Sequence, residues 1–483
     1  MSDRLPGAPR AWPRRGRKAD QEEQGGFMAL FGWLSAFRSR KRKKSTERLS
    51  EMAFIPSGAG IAAQPRILIA ALANDRGAAI GKRLAELFVK IPSVEVFAKK
   101  EALKLPETIV DPAERLILAA EEGRAWLKEE NADLLVWGEI AAAGLTLRFL
   151  PAPGDDSEQT VFAGLGENIE LPVSFPPALE SLVVAAAIGA FGPSFRGARA
   201  KLGESLGKHL PLASGIAKAP PPELTAAEAA SLFTALGNAY VAYSRLGGGT
   251  QQLDLAVAAY QAADKQVSKE AAPLVWARIQ NHLAAVLQAQ AQIKREPKLL
   301  RSAALIFSNV TAALDRGRHA NDWALANIYL GKALYVLAGM EGKPKYLETA
   351  ASAYEKALGV YDKDTMPSRW AEVTNQYGVV LLALGEEMGG DAALEQAVAK
   401  FRNAMNLRQR DKAPLLWAQT ANNLGAACFA LAKRNSEAAL LREASSCFEG
   451  ATEIYRQQGI VKQAQVIEKN LQRVQRLLMT RGA

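Results

Sequence analysis

The second half of the chain repeats one pattern of hydrophobic and small residues every 47 positions. An aromatic residue recurs five times at this interval, with an alanine four residues before it and a leucine three residues before the alanine. On a helix these positions share one face, so the pattern predicts a helix that packs closely against a neighbour. The aromatic residues are Tyr260, Phe307, Tyr354, Phe401 and Phe448.

A tryptophan followed by an alanine marks the other half of each unit. Eight residues after it comes Gly331, Gly378 or Gly425, with Ala284 in one unit. This stretch predicts the other helix of a pair, and a period in this range is typical of a solenoid of stacked units. We interpret the tryptophans as packing residues, since a solenoid core needs them, and not as a ligand cage. They are Trp276, Trp323, Trp370 and Trp417, each 47 residues from the next.

The run Asn423-Leu424-Gly425-Ala426, followed by Ala444, Phe448 and Ala451, resembles the signature of the tetratricopeptide repeat family. The family's usual unit has about 34 residues, so each unit here is about 13 residues longer. The 47-residue interval predicts five repeats over residues 223–459 and a capping helix over residues 460–483. The resemblance implies a concave wall of first helices. Such a wall binds a peptide or protein partner.

An asparagine row gives the candidate binding residues. Asn281, Asn375 and Asn422 each lie five residues after the tryptophan, and Ile328 takes this place in the third unit. The resemblance, especially to repeats of the kinesin-light-chain kind, implies that this position faces the groove. Because an asparagine donates and accepts at once, the three side chains are predicted to bind peptide groups. In the alternative, they only tie neighbouring helices together.

Residues 66–192 show a different pattern, in which short apolar runs alternate with stretches of helical spacing. This alternation predicts a small α/β domain, so the whole chain is expected to be an α+β multidomain protein. Strands are predicted at Arg66–Ala73, at Val94–Phe97, near Ile169–Val173 and in a hairpin over Leu134–Leu150; helices are predicted over 79–90, 112–130 and 177–191.

The stretch Ala132–Glu139, leading into the hairpin, makes this domain resemble the amino-terminal domain of TolB-type proteins, which implies an interaction module without catalysis. Residues 193–222, ending in three prolines, are predicted to be a linker. Thr225 and Glu228 then form a capping box that opens the first repeat helix.

The positive charge is concentrated at the amino terminus. Residues 1–50 hold 13 Lys and Arg against 5 Asp and Glu, a charge of +8 out of the total of +10. The body is therefore nearly neutral, and nucleic acid is not an expected partner. Residues 1–65 are predicted to be a disordered basic tail, and Met28 is an alternative start.

Within the tail, the aromatic run Phe27–Phe37 precedes Arg38–Lys44, in which six of seven residues are basic. Residues 27–44 could dock on an anionic membrane, or the tail could remain solvated. No apolar run reaches the roughly 20 residues that span a bilayer, and no secretory signal is evident. We expect a cytoplasmic protein, with peripheral membrane contact as an open alternative.

Residues that could carry chemistry are scattered. His209, His282 and His319 lie in unrelated settings, and Cys428 with Cys447 fits small-residue packing better than a redox pair. No metal, cofactor or catalytic set is predicted.

We expect a non-enzymatic adaptor. In the alternative, the α/β domain senses a small ligand or nucleotide and the array transmits the result. The turn Gly77–Lys82 lies where a phosphate loop would be, but it lacks that loop's glycine spacing.

Overall fold

The structure is a computed structural model that describes residues 64–106, 112–142, 144–152, 167–173, 176–191 and 199–481. Its first part is a five-stranded sheet with three helices. The strands are β1 (Arg66–Ala70), β2 (Glu95–Lys99), β3 (Leu134–Ala141), β4 (Gly144–Pro151) and β5 (Glu167–Leu171). The helices are α1 (Ala79–Val89), α2 (Pro112–Glu129) and α3 (Glu180–Ala190).

The sheet has the order β2-β1-β3-β4-β5. β1 lies parallel to β2 and β3, and β3, β4 and β5 are antiparallel. Alternation along β1 separates two cores: Ile67 and Ile69 pack towards α1 and α3, whereas Leu68 and Ala70 pack towards α2. The predicted strands and hairpin are confirmed within a few residues, and α2 begins at the predicted Pro112.

Residues 226–457 form five antiparallel helix pairs, followed by a single helix. The first helices are α5 (Ala226–Tyr243), α7 (Pro273–Lys294), α9 (Ala320–Glu341), α11 (Pro367–Met388) and α13 (Pro414–Asn435). The second helices are α6 (Gln252–Asp264), α8 (Pro297–Ala313), α10 (Lys345–Leu358), α12 (Asp391–Met405) and α14 (Ala438–Gln457). The last helix, α15 (Val461–Thr480), packs on α14 and shows many polar side chains, as a cap should. The predicted α/β domain followed by a helical solenoid is confirmed.

The repeated aromatic residues have equivalent surroundings in all five units. Each is at most 2% exposed and lies on a second helix. In four units the ring packs against a glycine of the first helix in the same unit, where a Cβ atom would come within 2.6–2.9 Å of the ring. The close approach of the two helices therefore explains why glycine and aromatic residue recur together. The glycines are Gly237, Gly331, Gly378 and Gly425.

The predicted linker is the main departure from the expected domain organisation. Within it, Arg199–Lys218 forms a 20-residue helix, α4. This helix packs on α3 and α5, and its buried residues Leu206 and Ala213 lie 47 positions before Leu253 and Tyr260. The pair α3–α4 thus continues the array by one short unit at its amino-terminal end. Sequence reasoning missed this because alanine replaces the aromatic residue that marks the other units.

One continuous core joins the two parts of the protein. It runs from the sheet through α3 and α4 to α5, α6 and the middle of α7. Across the junction, the backbone N–H of Glu170 in β5 donates to Ser231 Oγ in α5 at 2.8 Å. The predicted capping box opens α5: Thr225 Oγ1 accepts from the N–H of Glu228, and Glu228 bonds back to the N–H of Thr225.

Candidate functional site

The three predicted asparagines lie at equivalent places on α7, α11 and α13, and all three are buried. Asn281 and Asn422 are each 7% exposed and Asn375 is 1% exposed. Around the row, α11 is almost fully enclosed: between Ala371 and Ala383, every residue except Gln376 is buried. The row is therefore set between helices and is not an open polar surface.

Part of the hydrogen-bonding capacity of this row is unused. Asn375 Oδ1 accepts a bond from Asn423 Nδ2 at 3.2 Å, which links α11 to α13. Among the described residues, Asn281 Oδ1, Asn375 Nδ2, Asn422 Oδ1 and Asn423 Oδ1 have no hydrogen-bond partner. The link between Asn375 and Asn423 matches the alternative in which asparagines tie helices together, and the unpaired atoms keep the binding hypothesis open.

Asn423 was not among the predicted binding residues, although its neighbour was. In the repeat register it aligns with Gln376, Tyr329 and His282, so no recurring asparagine marked it. Its polar contact depends on how α13 packs against α11. The third unit contributes nothing comparable, since Ile328 occupies the row and Asn327 donates to the carbonyl of Trp323 in its own helix.

Charged residues also join neighbouring units near the first helices. Arg408, in the loop before α13, pairs with Glu372 of α11, and the two side chains are 4% and 1% exposed. The guanidinium also donates to Thr420 Oγ1 at 2.6 Å. A second link joins Arg278 of α7 to Asp322 of α9, with 2.9 Å between Nε and Oδ1. These pairs hold successive units in register.

Each repeated tryptophan is partly buried at the start of a first helix, and a cation seven residues earlier lies over its ring. The cationic group is 5.1–5.7 Å from the ring centroid. The ring of Trp417 also packs against Gly450 of α14, and Trp323 Nε1 donates to the carbonyl of Thr311 at 3.0 Å. The cations are Lys269, Arg316, Lys363 and Arg410. These contacts are those of packing residues, and each cation–π pair fastens an inter-unit loop to the helix that follows it.

The histidines lie on separate elements. His209 Nδ1 is 3.4 Å from Ser181 Oγ, and burial lowers the pKa of its ring. His282 stacks on Tyr260 with 5.5 Å between ring centroids, and burial, assisted by the charge of Arg278, lowers its pKa to about 4. His319 directly precedes α9. In the part of the chain that the structure describes, no three metal-ligating side chains meet.

The two cysteines lie on the two helices of the last pair. Cys428 lies on α13 and Cys447 on α14, and both thiols are free. Burial raises the pKa of Cys428 well above its usual range and that of Cys447 to about 12. Because the thiolate is the nucleophilic form, burial makes both side chains less nucleophilic.

In the turn after β1, a carboxylate of the protein itself binds the backbone amides at the start of α1. The Asp75 carboxylate accepts hydrogen bonds from the backbone N–H groups of Ile80 and Gly81, at 3.4 and 2.9 Å. A bound phosphate would use these same amides at a helix start. The position that a nucleotide phosphate would need is thus filled by the protein's own carboxylate.

Two predictions concern membranes. No helix among residues 64–106, 112–142, 144–152, 167–173, 176–191 and 199–481 has both the length and the apolar character needed to cross a bilayer. The amphipathic segment at residues 27–44 lies outside the described residues, and its membrane contact stays a prediction.

No protein-family model and no curated protein matches this sequence. Among solved structures, the chain is similar to BtubC (BKLC) from P. vanneervenii, with 17% identity, a TM-score of 0.38, and coverage of 54% of this chain and 92% of that one. It is also similar to a circular tandem repeat protein with novel repeat topology and enhanced subunit contact surfaces, with 12% identity, a TM-score of 0.28, and coverage of 77% and 92%. At these scores neither similarity bears on function, and the helical repeat assignment rests on the packing described above.

Proposed function

We propose that this protein is a non-enzymatic scaffold that binds a peptide or protein partner along the first helices of a tetratricopeptide-like array. The observation that carries the proposal is the set of amide atoms on α7, α11 and α13 that have no partner among the residues described. A buried polar atom without a partner costs about 1–3 kcal/mol. Because these atoms are buried, partner groups would reach them when neighbouring first helices move apart, and pairing would then recover that free energy.

The unpaired atoms suit a polypeptide main chain. Asn375 Nδ2 can donate to a carbonyl, while Oδ1 of Asn422 and Asn423 can accept from an N–H group. Asn281 and Asn422 keep a small exposed fraction. Since Ile328 interrupts the row in the third unit, binding should be concentrated on the fourth and fifth units.

Affinity purification with the full chain tests the proposal. The full chain is needed because the array shares a core with the sheet domain. The variant with Asn281→Ala, Asn375→Ala and Asn422→Ala should lose the partner proteins that the parent chain retains. A matched control changes two exposed asparagines on second helices, Asn309→Ala and Asn403→Ala, and should retain them.

Circular dichroism of each variant establishes that the array remains helical. If the triple variant is folded and recovers the same partners as the parent, the asparagine row is not the binding site. If the parent itself recovers no specific partner, the scaffold function fails.

The sensing alternative has less support. A nucleotide at the turn after β1 would have to displace the Asp75 carboxylate from the start of α1. We therefore propose that the α/β domain supplies a second contact to the partner, as its resemblance to the TolB-type domain implies.

We also propose that residues 27–44 bring the scaffold to an anionic membrane surface from the cytoplasm. Co-sedimentation with phosphatidylserine vesicles, with and without residues 1–50, tests this point. Equal recovery of both chains would end the membrane proposal without affecting the scaffold.

A further inference from the structure

Two side chains on the sheet of the α/β domain form a polar cluster that the proposed function does not use. Trp137 of β3 lies directly opposite Arg148 of β4 in the antiparallel register, and Arg148 in turn lies opposite Asn168 of β5. Directly opposed residues project to the same face of a sheet. This face is the one that packs towards α2, and Glu139, two residues after Trp137, shares it.

The arginine is held over the tryptophan. The guanidinium carbon is 5.0 Å from the indole ring centroid, and Arg148 Nη2 donates to Glu139 Oε1 at 2.9 Å. Trp137 is 2% exposed, whereas the side chains of Arg148 and Glu139 are 13% and 34% exposed. Asn168 is exposed. The cluster therefore has a buried floor and a rim that solvent reaches.

Two hydrogen-bond donors in this cluster are buried and have no partner in the part of the chain that the structure describes: the indole Nε1 of Trp137 and Nη1 of Arg148. A comparable pair on the same side of the sheet differs in this respect. Lys99 lies 5.1 Å from the centroid of the Trp126 ring, but its ammonium group is paired with Glu129 and Glu130. Unsatisfied donors of this kind are rare in folded proteins and call for an explanation.

We propose that Trp137 and Arg148 form a binding site for the carbonyl oxygen of a neutral amide. Both donors are buried, so the ligand would reach them when the Arg148 side chain at the rim moves outward. One carbonyl oxygen has two lone pairs, so it can then accept from both donors together. An anion is a poorer fit. The charge of Arg148 is already balanced by Glu139, and Glu170 lies opposite Thr146 on the same face of the sheet, so the site would repel a second carboxylate or a phosphate.

This site deepens the proposed function, because it identifies where the α/β domain could hold a peptide group of the partner. The inference rests on the proposed function only in assigning the amide to a peptide group of the partner. Small amides test the site directly, whereas partner recovery by the asparagine variants tests the scaffold, so the two can fail separately.

The experiment follows the indole N–H signals of the ¹⁵N-labelled full chain by NMR. The chain has eight tryptophans, and Trp137→Phe identifies the signal of Trp137. N-methylacetamide, a linear peptide mimic, and 2-pyrrolidinone, a cyclic amide, should shift this signal in a saturable way. Acetate and phosphate at equal concentration and ionic strength should not. A stronger response to the linear amide would indicate a peptide group, and a stronger response to the cyclic one a small-molecule ligand.

Arg148→Lys should reduce the amide-induced shift at least fivefold, since it keeps the charge opposite Glu139 but removes the guanidinium N–H groups. The other seven indole signals report whether this variant is folded, and Trp126→Phe is the matched control that should leave the Trp137 response intact. A Trp137 signal that does not shift with either amide would overturn the proposal. So would a signal that responds to acetate or phosphate instead, or one that responds equally in Arg148→Lys.

Discussion

The array and the α/β domain are stabilised in different ways. In the array, one contact between a glycine and an aromatic ring recurs in four of five units, and each unit packs chiefly on its neighbours. In the sheet domain every contact is unique, and two separate cores flank the sheet. Repetition makes the array's contacts visible in the sequence. The domain's attachment to the array, through α3 and α4, has no such signal.

The largest expected effect comes from removing an aromatic core residue in each region. Phe149 of β4 and Phe401 of α12 are both 0% exposed. Changing either to alanine should lower the free energy of unfolding by about 3–5 kcal/mol, through lost burial and the cavity left behind. Because the two residues belong to different cores, the regions that loosen should differ.

Hydrogen-exchange mass spectrometry checks this difference. Phe149→Ala should speed exchange in the strands and in α3 to α6, and Phe401→Ala should act from α9 to α14. Identical exchange maps for the two variants would show that the protein unfolds as one unit, and the comparison would fail.

The second effect concerns the buried ion pair between Arg408 and Glu372. Arg408→Met leaves the Glu372 carboxylate buried without its partner, so stability should fall by about 3 kcal/mol. The double variant Arg408→Met with Glu372→Met removes both charges and should recover most of this loss. Urea unfolding of the parent, the single variant and the double variant measures these stabilities. A double variant no more stable than the single one would contradict the explanation.

A smaller effect should follow from filling a repeat glycine. A Cβ atom at Gly378 would come within 2.8 Å of the Phe401 ring, so Gly378→Val should cost about 2 kcal/mol from overpacking. Ala284 occupies the equivalent place in the second unit. Its replacement by glycine is the matched control and should cost only about 0.5–1 kcal/mol. Thermal unfolding of both variants tests whether the two units pack differently. Equal losses of stability in the two variants would argue against a difference in packing.

The smallest effect is a dependence of stability on pH. In the folded protein the pKa of His282 is lowered from 6.5 to about 4. Below pH 6.5 the unfolded chain binds a proton that the folded chain does not, so stability should fall as the pH drops from 6.5 towards 4. His282→Phe keeps an aromatic ring against Tyr260 and should weaken this dependence.

Urea midpoints at pH 7 and pH 5 measure the difference between parent and variant. A fall of the same size in His282→Phe would assign the pH dependence to other groups, such as His209, whose pKa is also lowered by burial.

The sequence predicted the position of the asparagine row within the repeat. It did not predict the burial and the contacts of these asparagines. The interval of 47 residues correctly placed Asn281, Asn375 and Asn422 at equivalent points on first helices. It did not reveal that they are buried, that Asn375 bonds to Asn423, or that a cation lies over each tryptophan. Those features depend on distances between helices, which a linear pattern does not contain.

The sequence by itself determined the array and the secondary structure apart from α4. Its signals are local or evenly spaced: helix periodicity, the capping box of Thr225 and Glu228, and the recurring glycine and aromatic positions. Each of them involves residues at a fixed separation along the chain. Tertiary structure decided the rest. It placed α4 as part of a further helix pair, and it filled the turn after β1 with Asp75. Within the described part of the chain, it left donors of Trp137 and Arg148 unpaired. The physical reason is that hydrogen-bond satisfaction depends on which atoms meet across elements far apart in the chain.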